Sequence, residues 1–487
     1  MFRISDRPAI NPGVVFVLLI TLWRIVMLAF NRTELYVDES QYWFWGQNPD
    51  FGYYSKPPMI AWVIRAVTDL AGSSSPFWVR FPAPLFHMGT AMLLMYAARR
   101  LFDVPVSNWV GPVYVLLPMA TLGSALFSTD TIMLFFYALA LLAWLQLQSR
   151  RSVFWAGMLG AAVGFGMLSK YAMIYFVIGA ILAAFFVRGA RISWRDAAIA
   201  AALALVMMSP NIWWNLQTGG TTLQHTVDNA SWSGARAGLH FRAMLQFLAG
   251  QFAVFGPILF AAYLLRLVRA PFGQKLPHEA MLLWLSAPVI AMMMVQALMS
   301  RANANWGVTA YIGGTLLVTC FLWQRGRYWL YASQALHLAA AIALPLILLH
   351  PGDLRRENGG RQYLARYLNR AETSLKLAQL AKDNGLDTIV SKGRELAADL
   401  HYTLRNSDLK LYSLPRSGFP ASYYEQEFAV PGNYDRPVLF AGIDNSPDCA
   451  RQILFEDDKT DGVFTGHKVI ASIVDPACLQ SLLEKGR

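Results

Sequence analysis

The sequence predicts an α-helical multi-pass membrane protein of about eleven transmembrane helices, followed by a carboxy-terminal α/β domain outside the cytoplasm. Three observations carry that reading. First, 55% of the 487 residues are hydrophobic and only 15% are charged, with a mean hydropathy of +0.36, more apolar surface than a soluble fold can bury. Second, the acidic residues are uneven: 11 precede residue 351 and 19 follow it, dividing the chain into a membrane region (1–350) and a polar domain (351–487). Third, the net charge of +11 is spread over short Arg and Lys clusters between apolar runs. That pattern orients helices in a bilayer and excludes a nucleic-acid-binding surface. Disorder, fibrous repeats and a disulfide-dense scaffold are excluded by the same composition.

A bilayer core of about 30 Å needs roughly 20 apolar residues per helix. Runs of that kind lie at about 13–30, 81–98, 107–127, 131–147, 153–168, 171–187, 196–213, 243–265, 279–299, 306–323 and 328–349. The first is too long, and too poor in a small-residue cleavage site, for a removable signal peptide. With the amino terminus inside, the clusters Arg3/Arg7, Arg99/Arg100, Arg150/Arg151, Arg188/Arg191/Arg195, Arg266/Arg269/Lys275 and Arg325/Arg327 all fall on the cytoplasmic side. The opposite face then receives the loop 31–80, Asp130, Lys170, the loop 214–242, Arg301–Asn305 and the last domain.

The loop 31–80 carries an aromatic tract around Tyr42, Trp43 and Trp45, then Ile60, Val63, Ile64 and Val67 at helical spacing. Helices lying at the membrane interface are expected there. In the polar domain, helix-like stretches (363–384, 394–404) alternate with strand-like ones (388–390, 409–413, 438–443, 469–474), which predicts a small α/β layer structure. Gly157 to Gly166 read as close helix packing. Cys320 sits in an apolar run, whereas Cys449 and Cys478 fall in the external domain, as a disulfide in an oxidising compartment or as two buried thiols.

Asp38 and Glu39 are adjacent acids beyond the first apolar run. They read either as helix-start acids favoured by the dipole or as a general base at the membrane face. Neighbours on a helix point about 100° apart, so only one can face a given substrate atom; Asp38 is the expected base. Lys56, before Pro57-Pro58, reads as a snorkelling cation or a phosphate clamp. Asp130, Lys170 and Arg301, with Asn303, Asn305 and Trp306, gather on the same side of the membrane, and that gathering outweighs each residue alone. No Gly-rich phosphate loop and no metal-ligand spacing appears; His87, His225 and His240 are scattered. No cofactor is expected to be required, and a divalent metal is not indicated.

Taken together, the acidic pair, Tyr53-Tyr54-Ser55-Lys56-Pro57-Pro58, Arg80, Ser128-Thr129-Asp130, Leu168-Ser169-Lys170-Tyr171, Pro210-Asn211-Ile212-Trp213-Trp214-Asn215 and Asn305-Trp306 resemble bacterial GT-C glycosyltransferases that use polyprenyl-phosphate sugars. That group contains the protein O-mannosyltransferases, the lipid A aminoarabinose transferase and the uronic acid transferases of lipopolysaccharide core. The resemblance spans about residues 10–325 in order, and Arg394-Glu395-Leu396-Ala397-Ala398-Asp399-Leu400 looks like the carboxy-terminal part of related members. It implies Asp38 as catalytic aspartate, Glu39 as its partner acid, and donor-phosphate or substrate contacts from Lys56, Arg80, Asp130, Lys170 and Arg301. Ser55 departs from the aminoarabinose transferase, where a Glu often precedes this lysine, so that enzyme's acceptor and amino-sugar preference is not carried over.

The implied reaction is inverting transfer from a polyprenyl-phosphate sugar to a glycolipid, glycan or protein acceptor, with lipid A or lipopolysaccharide core favoured. The implied place is the periplasmic face of the bacterial inner membrane. A phosphate-linked sugar has a good leaving group, so cations and one carboxylate suffice. The alternative is a transporter or flippase of a lipid-linked sugar, which predicts deeper charges and internal repetition, and neither is evident.

Overall fold

The computed structural model describes residues 11–220, 222, 238–269, 276, 278–355, 362–416, 418, 420–458 and 461–485. Arg3, Arg7, His225 and Lys275 lie outside the described residues. The chain divides into two compact units: residues 1–29, 56–60 and 80–346 form one, and residues 30–55, 61–79 and 347–487 form the other.

In chain order the helices of the first 350 residues are α1 (Pro12–Ala29), α2 (Val37–Gln47), α3 (Met59–Ala71), α4 (Pro76–Arg80), α5 (Pro82–Leu101), α6 (Val104–Leu116), α7 (Pro118–Ala125) and α8 (Thr129–Ser149). There follow α9 (Val153–Ser169), α10 (Ile174–Phe186), α11 (Trp194–Gln217), α12 (Phe241–Val254), α13 (Pro257–Arg269), α14 (Glu279–Met299), α15 (Ala310–Arg325) and α16 (Arg327–Ile347). Among the described residues, five of these (α1, α8, α11, α14 and α16) are long and apolar enough to cross a membrane. The protein is a multi-pass membrane protein.

Two of the expected continuous spans are broken. The run 107–127 divides at Leu117, where Pro118 opens a new helix because it has no N–H to continue the old one. The run 243–265 divides at Gly256, whose φ of +96° only glycine adopts readily, and Pro257 restarts the chain. A Cβ at Gly256 would also fall 2.0 Å from His337 Nε2. The glycine-rich α9 packs as expected: Cβ atoms on Gly160 and Gly164 would lie 2.4 Å from Ala200 O and 2.6 Å from Met207 Cβ, so α9 and α11 approach at backbone distance. Arg24, within α1, is buried and donates to Val115 O at 2.6 Å, Thr121 Oγ1 at 2.9 Å and Ser124 Oγ at 3.0 Å, three polar partners for a cation inside the apolar bundle.

The second unit continues with α17 (Arg370–Asp383), β1 (Thr388–Ser391), α18 (Arg394–Thr403), β2 (Lys410–Ser413), α19 (Tyr423–Glu427), β3 (Val438–Ile443), β4 (Gln452–Asp458), β5 (Lys468–Val474) and α20 (Pro476–Lys485). The sheet order is β2-β1-β3-β5-β4, parallel from β2 through β1 to β3 and antiparallel from β3 through β5 to β4. Alternation places Ile389, Leu439 and Ile473 with Leu377, Leu396 and Leu400 on one face, and Val390, Phe440 and Val474 with Leu479 and Leu483 on the other. The sheet is therefore covered by helices on both sides. The expected strands and helices are found; β4, α19 and α20 are additional. Cys449 and Cys478 are disulfide-bonded, with Cα atoms 5.6 Å apart.

The loop 31–80 departs from expectation in one respect. Its aromatics are packed inside protein rather than spread at a membrane interface: Trp43 is 4% exposed and Trp45 fully buried. Trp45 stacks on Tyr53 at 4.8 Å, Trp43 meets the edge of Tyr402 at 5.1 Å, and Phe44 packs on His401 at 4.4 Å. The rings of α2 pack on α18 and its neighbours, which removes them from solvent more completely than a headgroup layer would.

Candidate active site

In the second unit the site is built on the first turn of α2. Tyr36 is the amino-terminal cap, and the next residues present two carboxylates to different surroundings. Glu39 is 2% exposed, and its Oε2 accepts from the Tyr36 backbone N–H at 3.0 Å, closing the helix start. The Asp38 side chain is 42% exposed and forms a hydrogen-bonded ion pair with Nη2 of Arg394. Arg394 Nε donates to Gln41 Oε1 at 2.7 Å, one turn beyond Asp38. Arg394 opens α18 and holds two positions of α2, one turn apart, with one planar group. Burial works against the Arg394 charge, but the Asp38 carboxylate and its hydrogen bond outweigh that, so the guanidinium holds its proton above the ordinary value.

Further along α18, Asp399 and His401 are buried. Asp399 accepts from Arg370 Nη1 at 2.6 Å and 2.7 Å, yet burial pushes its carboxyl up to about 7 against that pull. Burial among rings lowers His401 to about 4, so it is neutral at physiological pH.

In the first unit the residues gather at one end of the helical bundle. Asp130, in the first turn of α8, receives Lys170 Nζ at 2.7 Å and 2.9 Å; Lys170 caps the end of α9. Asn305 Nδ2, from the short 3₁₀ turn 304–307, donates to the same carboxylate at 3.3 Å. Tyr171 donates its hydroxyl to Asn211 Oδ1 at 2.8 Å and accepts from Asn215 Nδ2 at 3.3 Å. Three segments far apart in sequence thus meet at Asp130. Gln251 and Tyr311 were not foreseen: Tyr311 donates to Gln251 Oε1 at 2.7 Å, and Gln251 Nε2 holds the Ala304 carbonyl at 3.1 Å, fixing the turn that carries Asn305. The sequence signal was slight: Gln251 is one of two glutamines in a largely apolar helix.

Three expected residues remain. Lys56 is half-buried, Arg80 ends α4 at 1% exposure, and Arg301 is exposed, its carbonyl accepting from Gln296 Nε2 at 3.1 Å. Among the described residues, no group of three His, Cys, Asp or Glu side chains is placed to hold a metal ion.

The chain combines apolar helices long enough to cross a membrane with a helix-covered five-stranded sheet, and comparison with known proteins identifies its class as the GT-C membrane glycosyltransferases. A family model described as dolichyl-phosphate-mannose-protein mannosyltransferase matches residues 55–214. A curated relative, the lipid A galacturonosyltransferase RgtD of Rhizobium johnstonii, is 44% identical over 470 residues, which cover 96% of this chain and 98% of that protein. The chain belongs to this family of GT-C glycosyltransferases and is a membrane glycosyltransferase. Its fold is shared with crystal structures of ArnT from Cupriavidus metallidurans at 15% identity. The apo form covers 96% of this chain and 98% of ArnT with a TM-score of 0.65; the form bound to undecaprenyl phosphate covers 94% and 97% with a TM-score of 0.62. The transporter alternative falls with the family assignment.

Proposed function

We propose that the protein transfers galacturonic acid, or a closely related uronic acid, from a polyprenyl-phosphate carrier to lipid A at the periplasmic face of the bacterial inner membrane. The observation that carries this reading is the 44% identity to a lipid A galacturonosyltransferase over nearly its whole length. The ArnT form with undecaprenyl phosphate supports the donor class, because the same fold accommodates a polyprenyl phosphate there. The basic clusters on alternate connections support the orientation, and the Cys449–Cys478 disulfide supports an oxidising compartment for the last domain.

The chemistry assigned to the residues is direct displacement. Asp38 takes the proton of an acceptor hydroxyl while that oxygen attacks the anomeric carbon. The anomeric carbon–oxygen bond breaks, its electron pair leaves with the polyprenyl phosphate, and the configuration inverts. Arg394 and Gln41 hold the base in line, and Glu39 supports it by fixing the helix start. Lys56, Lys170 and Arg301 supply cations for the donor phosphate and the departing charge, with Asp130 orienting Lys170 and the buried Arg80 supporting from within. Residues 1–350 are assigned to the transmembrane transferase, with the loop at about 31–80 as its catalytic outer loop, and 351–487 to the periplasmic α/β domain.

Purified full-length protein is to be incubated with polyprenyl-phosphate galacturonate and a lipid A extract, and the lipid followed by mass spectrometry. A gain of one hexuronic acid is expected. A gain of another sugar, or sugar on protein alone, would sink the assignment. A periplasm-dependent reporter fused after Arg487 is expected to be active, and a silent one would reverse the orientation.

A further inference from the structure

We propose that a cavity on the reverse face of α2 binds an anionic saccharide, the phosphorylated sugar headgroup of a glycolipid, at a site separate from the Asp38 carboxylate. The cavity, of about 950 Å³, lies wholly within the second unit. At 100° per residue, Gln41 lies near Asp38 on the helix circumference, whereas Trp43, Phe44 and Gln47, which line the cavity, fall about 140° to 240° away. One helix thus presents the carboxylate on one face and a sugar-sized recess on the other.

The lining decides the class of ligand. Its floor is aromatic, from Trp43, Phe44 and Phe428, and its rim carries Asn406 and Ser407 beside two cations, Arg405 and Lys410. Arg405 is fixed but not neutralised: its Nη1 donates to the Tyr402 carbonyl at 2.6 Å, and the guanidinium lies 4.7 Å from the Tyr402 ring and 5.8 Å from the Trp43 ring. No carboxylate is paired with it among the described residues. Lys410 is 3.6 Å from Asp387, which Arg436 also approaches at 3.2 Å, so cations outnumber acids there. Asp69, the only acid of the lining, is held by Arg65 at 2.6 Å. An apolar floor with amide and hydroxyl groups and unspent guanidinium donors fits a sugar ring bearing phosphate or carboxylate. By contrast, a cavity of about 550 Å³ in the first unit is lined almost entirely by residues such as Leu159, Val163 and Ile181, which suits a hydrocarbon chain.

Binding of an anionic saccharide here is independent of the proposed function, because it rests on the lining of the cavity and not on Asp38. Full-length protein in detergent is titrated calorimetrically with a bisphosphorylated glucosamine disaccharide, the same disaccharide without phosphate, and inorganic phosphate. The phosphorylated disaccharide is expected to bind at least about tenfold more tightly than either other probe, and Arg405→Gln and Lys410→Gln each to weaken it by about tenfold. Asp38→Asn is expected to bind it as the wild type does. No binding of that disaccharide, equal binding of inorganic phosphate, or unchanged affinity in an Arg405→Gln, Lys410→Gln protein of wild-type melting temperature would overturn the proposal. Both side chains are exposed; Arg405→Gln alone decides the matter if the double variant does not fold. Transfer by Asp38→Asn at the wild-type rate would defeat the base assignment and leave this binding result standing, so the two failures are distinguishable.

Discussion

Asp38→Asn keeps the size of the side chain but removes its ability to accept a proton, and general-base catalysis contributes about 10²- to 10⁴-fold, so turnover is expected to fall by that amount. Arg394→Ala leaves the carboxylate in place and removes its clamp, the ion pair to Asp38 and the 2.7 Å hydrogen bond to Gln41. The two charged side chains are 38% and 42% exposed, so solvent screens the pair to about 1 kcal/mol or less, and the hydrogen bond to Gln41 adds about 1 kcal/mol. A total of about 1–2 kcal/mol corresponds to a fall of about 5- to 30-fold in kcat. Because Arg394 acts through Asp38, the double variant should transfer no more slowly than Asp38→Asn alone. Arg394→Lys, which reaches one partner but not both in the plane, should recover part of the loss. The assay is single-turnover transfer from labelled polyprenyl-phosphate sugar, with donor KM measured in parallel. Wild-type turnover by Asp38→Asn would refute the base, and losses that simply multiply in the double variant would refute action through it.

Three further outcomes are expected. Asp130→Asn and Lys170→Gln should each raise the donor KM about tenfold, and together no further, because each leaves the partner of a close ion pair at 2.7 Å unmatched; additive losses would show two separate roles. Cys478→Ser should lower the stability of the carboxy-terminal domain by about 3–4 kcal/mol, the chain-entropy value for a loop of 29 residues, read by chemical denaturation of the full chain; an unchanged midpoint would count against a structural bond. His401, held down to about 4 from 6.5, makes stability fall as pH drops through that window, because the unfolded chain takes up the proton first. Asp399, pushed up to about 7, acts in the opposite sense, and stability falls as pH rises from about 4 to about 7. His401→Phe removes the first slope, so the variant should gain melting temperature relative to wild type at pH 5 compared with pH 8, and an unchanged difference would refute the His401 assignment.

Much of the helical unit is legible because burial in lipid leaves long apolar runs with charges mostly at their ends, Arg24 being an exception. The errors arise where backbone chemistry interrupts such a run without changing its hydropathy. Leu117-Pro118 and Gly256-Pro257 are both visible breakers, but a hydropathy average counts glycine and proline as mild and does not register a missing N–H or a positive φ. Strand β4 was hidden for another reason: it lies at the sheet edge, is bulged between Ile453 and Phe455, and ends in Glu456-Asp457-Asp458, so its alternation is disturbed and its charges read as loop. The interfacial reading of Trp43 and Trp45 failed because amphipathic rings suit both a headgroup layer and a protein core, and only the positions of Tyr402, His401 and Tyr53 discriminate.

The acidic pair shows why a site is partly readable from one sequence. A helix-start role and a catalytic role competed for Asp38 and Glu39, and the structure assigns one environment to each residue: Glu39 turns back to the Tyr36 N–H and is buried, while Asp38 stays open and charged against Arg394. The 100° offset between neighbours was enough to foresee that they would separate, and the exposed member is the one with room for a substrate hydroxyl. What no spacing rule contains is the partner, since Arg394 lies 356 residues from Asp38 and is brought to it by the packing of α18 on α2. A carboxylate oriented by a guanidinium on another element is rigid only while that packing holds. On the proposed role of Asp38 as base, loosening α18 should misalign the carboxylate and slow transfer even with the helical unit unchanged.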